Sequence, residues 1–196
     1  MKIFDLFKKE SPPTPGLYPS KLLPAPGRYR DLEPRSIHDR RELLNELFRL
    51  THIELRVALY AYGEDCYLIS ATTSIAEAGA PIKLPVTVSD SELGYAIFDL
   101  LLQSYAHPVT GDGLLENWAV FVASGEKTGK SFQKKSTYVS VNTANSAIIV
   151  EASRGFPPSN IYVGEQLSIG CDADKLGSVV KQLVRTLRFL DSQNAL

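Results

Sequence analysis

The segment Gly125-Glu-Lys-Thr-Gly-Lys-Ser131 ends in Gly129-Lys130-Ser131, the residues that close a phosphate-binding loop. Such a loop needs a first glycine five positions earlier and a long helix behind it, because backbone N–H groups and the helix N-terminus hold the phosphates. The required position is Ser124, and Phe132–Val141 reads as strand-like, so a basic, flexible hairpin-type connection fits better than a nucleotide site. His38, His52 and His107 stand apart, with no H-x-H, H-E-x-x-H or Cys/His spacing, so no metal is expected. Cys66 and Cys171 are too few for a disulfide framework and read as small apolar residues of a reducing compartment. There is no G-x-S-x-G elbow, and no cofactor or catalytic residue is expected. Glu64-Asp65 reads as part of a turn, and Asp90/Glu92 as the start of a helix.

Composition narrows the class. The 196 residues are 44% hydrophobic and 22% charged, a globular balance with enough chain for one core. A net charge of −1 argues against a general nucleic-acid binder. No apolar run approaches the roughly 20 residues of a membrane span, and no signal peptide is visible, so a cytoplasmic protein without membrane contact is expected. Seven of the 12 prolines fall in the first 34 residues, so residues 1–35 read as a Pro-rich tail or strap and 36–196 as one domain.

The domain should open with an amphipathic helix over 37–51, carrying Leu43, Leu44, Leu47 and Phe48 at helical spacing. Alternation from Ile53 to Ala61, the turn Tyr62–Asp65 and a return over Cys66–Ala71 predict a hairpin. Trp118–Ala123, Thr137–Val141 and Ala147–Glu151 read as further strands, with a turn at 142–146 and a loop or edge segment over Arg154–Gly164.

The strongest pattern is internal. The stretch Pro81–Leu102 recurs 83 residues later as Gln166–Val184, pairing Leu84 with Leu167, Val86 with Ile169 and Leu93-Gly94 with Leu176-Gly177. Each copy is a strand, a capping turn (Ser89…Glu92; Asp172) and an amphipathic helix. The shared glycine is expected to let each helix lie close to its preceding strand. The sum is an α/β or α+β domain with a pseudo-duplicated strand-Leu-Gly-helix unit, six to eight mostly antiparallel strands and about three helices.

Charge is uneven along the chain: residues 1–60 carry +3, 61–123 carry −7 and 124–196 carry +3. An acidic middle with tyrosines suits a basic protein partner, the carboxylates steering association and tyrosine anchoring it. Charge and turn position select Tyr62, Glu64, Asp65, Tyr67, Glu77, Asp112 and Glu116 as partner-binding residues.

Ser89-Asp-Ser-Glu-Leu-Gly94, Gly129-Lys-Ser-Phe-Gln-Lys-Lys135 followed by Tyr138-Val-Ser-Val141, and Asp172-Ala-Asp-Lys-Leu-Gly177 together resemble the immunity proteins of bacterial contact-dependent growth inhibition. The resemblance covers residues 82–190. Lys175 stands in the second copy where the first has Glu92. It implies a small cytosolic protein that is not an enzyme and that binds one cognate toxin C-terminal domain, usually a nuclease, one to one. The alternatives are a hydrolase or nucleotide-dependent enzyme using Gly129-Lys130-Ser131, and an adaptor docking through its Pro-rich segment.

Overall fold

The hairpin that alternation predicts forms from β1 (Arg56–Tyr62) and β2 (Cys66–Thr72), paired from Arg56↔Thr72 to Tyr62↔Cys66. The computed structural model describes residues 54–72, 77–106, 118–144, 147–154 and 162–193. The Pro-rich segment and the expected helix over 37–51 lie outside them. The chain continues through β3 (Glu77–Pro85), α1 (Asp90–Ala106), α2 (Ala119–Ser124), α3 (Gly129–Lys135), β4 (Ser136–Ala144), β5 (Ala147–Arg154), β6 (Tyr162–Ser168) and α4 (Ala173–Ser192). The strands make one antiparallel sheet in the order β3-β2-β1-β4-β5-β6, an α+β fold.

That order is what an approximate two-fold axis through the β1/β4 pair produces, with Leu59 opposite Val139 and Tyr60 opposite Tyr138. One half is β1-β2-β3-α1 and the other β4-β5-β6-α4. Alternation sends Val57, Leu59, Ile69, Val139, Val141 and Val150 to one face, where α1 and α4 cover them and form the main core.

Both helix starts are built as the sequence predicts. Ser89 and Glu92 close a reciprocal capping box, Glu92 N–H on Ser89 Oγ at 3.1 Å and Ser89 N–H on Glu92 Oε2 at 3.3 Å. Asp172 Oδ1 accepts the Lys175 N–H at 2.7 Å. The paired glycines serve a different contact from the one expected. A Cβ on Gly94 would fall 1.9 Å from the Ala173 carbonyl oxygen, and one on Gly177 would fall 2.0 Å from that of Asp90. The close approach is therefore helix to helix, not helix to preceding strand. Ser91 Oγ donates to Asp174 Oδ1 at 3.2 Å, a contact between residues 83 apart, so the sequence repeat and the structural symmetry coincide.

Two readings of the middle are corrected. Trp118–Ala123 was expected as a strand, but Ala119–Ser124 is α2, stopped at Gly125 in the left-handed region (φ +73°). Gly125–Ser131 was expected as a flexible connection and Phe132–Val141 as strand-like, but Gly129–Lys135 is α3, and β4 begins only at Ser136. Six apolar residues of mixed β-branching fit either a short strand or a short helix, and contacts distant in sequence decide between them. Among the described residues, no helix is long and apolar enough to cross a membrane.

Candidate partner-binding surface

The sheet face away from α1 and α4 is split into a covered and a partly open half. On the β1/β2 side, Ala58, Tyr60, Cys66 and Leu68 form a second small core with Val120 of α2 and Phe132 of α3. Aromatic rings hold this α2–α3 hairpin down. Phe132 stands edge-on to Trp118 with centroids 5.1 Å apart, lies 5.2 Å from Tyr60 and stacks on Tyr62 at 5.6 Å.

Two carboxylates fix the hairpin. Glu77, at the start of β3, accepts the Val120 N–H of α2 through Oε2 at 3.0 Å, while its Oε1 is buried and closes no hydrogen bond. Burial pushes the Glu77 carboxyl up to about 7, against the opposing pull of that N–H and of the neighbouring Tyr60 hydroxyl and Trp118 indole. Burial likewise raises the Tyr60 phenol, and takes that of Tyr138 up to about 12. Glu126, between α2 and α3, has the opposite setting. It accepts from Lys135 Nζ at 2.6 Å, from the Tyr62 hydroxyl and from Ser131 Oγ at 2.7 Å, and these bonds bring its carboxyl down to about 2.

On the β5/β6 side the same face is only partly open: Glu151 is exposed, whereas Ala147 and Ser153, which point the same way, are buried. The register aligns Tyr138, Ser153 and Tyr162 in one row, Ser140, Glu151 and Gly164 in the next, and Asn142, Ile149 and Gln166 in a third. Tyr162 is 54% exposed, and Gly164, Gln166, Ser168 and Glu151 are also exposed. No described helix lies over them. β6 is also an edge strand among the described residues, so every second residue turns its backbone N–H and C=O outward.

The opposite edge, β3, is guarded. Pro81 and Pro85 have no N–H to offer, Lys83 is exposed, and the β2/β3 register shifts between Ile69 and Ala71. The repeat offset of 83 carries Pro81, Lys83 and Pro85 onto Gly164, Gln166 and Ser168. Each guard has been replaced, and the β5/β6 register is regular throughout.

The residues selected from charge and turn position fall in several places. Glu64 and Asp65 are exposed in the β1–β2 turn, and Tyr62 beside them is half-buried against Phe132 and bound to Glu126. Tyr67 points into the main core, 3% exposed, and offers no surface. Glu77 is half-buried beneath α2, at the far end of the β1–β2 hairpin from Glu64. Asp112 and Glu116 lie outside the described residues. The acidic count of the middle third thus does not translate into one face. Asp99 is buried at 1%, Asp90 pairs with Lys181 at 2.6 Å, and Glu92 belongs to a cap.

The Gly129-Lys130-Ser131 segment has neither flank of a phosphate loop. A helix precedes it, α3 has seven residues, Thr128 Oγ1 accepts the Ser131 N–H at 3.1 Å, and the Ser131 hydroxyl is bonded to the Glu126 carboxylate. Among the described residues no His/Cys/Asp/Glu group of three or more could hold a metal ion.

Tyr162, Gln166 and Ser168 were not singled out from the sequence, although a signal was present. That signal lies in the repeat, where Gly164, Gln166 and Ser168 stand in place of Pro81, Lys83 and Pro85.

No family model matches the sequence, and no curated protein matches it. Solved structures share the fold. A protein of unknown function from Neisseria meningitidis aligns with a TM-score of 0.53 at 16% identity, over 69% of this chain and 96% of that one. A chain of the CdiA-CT/CdiI toxin and immunity complex from Yersinia pseudotuberculosis aligns with a TM-score of 0.51 at 14% identity, over 68% of this chain and 97% of that one.

Proposed function

We propose that this chain is a cytoplasmic immunity protein, without enzymatic activity, that binds a cognate toxin domain one to one and blocks its active site or substrate surface. The class of partner is supported by the fold shared with a chain of a toxin and immunity complex. The observation that carries the binding half of the reading is the unguarded β6 edge beside a partly open sheet face, set against a guarded edge at the symmetry-related position. A partner segment laid along β6 would find unpaired backbone groups, with Tyr162 as an aromatic anchor and Gln166 and Ser168 as hydrogen-bonding neighbours. A nuclease partner would present a basic face to phosphate, and Glu64 and Asp65 are exposed to steer it.

The test is co-expression with the product of the neighbouring gene. The expected result is rescued growth and a one-to-one complex whose association slows as salt rises. Absence of a complex at low salt would sink the reading.

A further inference from the structure

The hairpin α2–α3 reaches the edge of the sheet through one ionisable group. Glu77 leaves β3 and meets the first turn of α2, where Oε2 holds the Val120 N–H at 3.0 Å. Among the described residues its surroundings contain no countercharge. From β1 it faces the Tyr60 hydroxyl, from β4 Tyr138, and from the start of α2 the Trp118 indole and the Ala119 and Val120 N–H groups. None of the ion pairs among the described residues involves Glu77. The hydroxyl, indole and N–H donors favour the ionised form, but burial of the carboxyl, with Oε1 closing no hydrogen bond, outweighs them and favours the protonated form. The second latch, Glu126, already has three donors and stays ionised around neutrality.

We propose that Glu77 is a proton-operated latch for the α2–α3 hairpin: protonated, it lets α2 seat against Tyr60 and the β3 edge, and ionised, it loosens the first turn of α2 from the sheet. The consequence reaches the open half of the same face. Tyr60 and Tyr138 stand opposite each other in β1 and β4 with rings 5.2 Å apart, so the hairpin's seating sets the border of the exposed β4–β6 surface. Burial holds the Glu77 carboxyl near neutrality, which puts the switch in a physiological range.

The reporter is built in, because Trp118 is the only tryptophan of the chain and lies at this contact. Trp118 emission and its quenching by acrylamide should be followed on the full chain from pH 5.5 to 8.5. Quenching is expected to rise at least twofold as pH increases, with a midpoint near neutrality. In Glu77→Gln, whose amide oxygen keeps the Val120 bond without a charge, the profile should be flat. An ordinary histidine also changes charge in this range, and the variant separates any histidine effect from that of Glu77. A flat wild-type profile would overturn the proposal even if the variant failed to fold. So would an unchanged transition in a folded Glu77→Gln.

Discussion

Among the described residues β3 and β6 are the equivalent edges of a duplicated unit, yet β3 carries guards against strand pairing and β6 does not. Both lead into a capped helix, and both place a leucine, Leu84 or Leu167, in the main core. Their inward sides are therefore held by the same requirement. Their outward sides differ: two prolines, a lysine and a register shift on β3, against glycine, glutamine and serine in a regular ladder on β6. Exposed edges invite association and are usually blunted. Among the described residues the chain blunts one edge and leaves its counterpart without such guards, which suits the proposed docking at β6. The neighbouring face follows the same division, with helices over β1 and β2 and exposed Tyr162 and Gln166 on β6.

The contrast stands on a shared scaffold, and the scaffold breaks first. Gly94→Ala or Gly177→Ala would drive a methyl into a backbone carbonyl of the facing helix. Each should cost about 3 kcal/mol or more, read as a lower denaturant midpoint, because neither partner atom can rotate away. A loss below about 1 kcal/mol for both would show that the two helices do not meet as described.

On the covered half, Glu77 makes stability depend on pH with a definite sign. Its folded value of about 7 lies above the ordinary 4.5. Folding therefore takes up a proton between these values, and the stabilisation is full at low pH and lost as pH rises through 7. Chemical denaturation at pH 5.5 and 8.5 should differ by about 2 kcal/mol, and Glu77→Gln should remove the difference. Glu126 acts in the opposite sense, adding stability above the ordinary carboxylate range that is lost as pH falls toward 2.

On the open half, the guard can be transplanted. Gln166→Lys gives β6 the charge that Lys83 gives β3. It should weaken partner binding about tenfold, or ~1.4 kcal/mol, without moving the thermal midpoint. Lys83→Gln, on the edge that keeps its prolines, should leave binding unchanged. Equal effects of the two substitutions in a titration would erase the distinction between the edges. The smallest effect belongs to a pair spanning β5 and α4 at the surface, Arg154–Asp191 at 3.0 Å. Arg154→Ala should cost about 0.5 kcal/mol or less in the same denaturation experiment.

What could be read from the sequence was what local chemistry decides. Ser89…Glu92 and Asp172 announce helix starts because their side chains satisfy N–H groups three residues away. The Leu-Gly repeat revealed the duplication for the same reason, since each copy carries its own cap and apolar spacing. α2 was missed because Ala119–Ser124 has no helical period long enough to measure, and the Glu77 that receives its N-terminus lies 43 residues from Val120. The start of β6 at Tyr162 was missed because a half-exposed edge strand carries little apolar signal, with Leu167 the one buried residue in the strand. Charge summed along the chain does not by itself locate a face, for a related reason. A count of acids does not separate Asp99 in the core, or Asp90 against Lys181, from Glu64 in solvent.

Backbone amide exchange over Tyr162–Ser168, with and without the product of the neighbouring gene as the proposed partner, tests the central claim most directly. Strand pairing or close cover at β6 predicts that these amides slow markedly on complex formation while those of β3 keep their free rates. Unchanged exchange in β6, with protection appearing only at the Glu64–Asp65 turn or on α2–α3, would place the partner elsewhere and contradict the account.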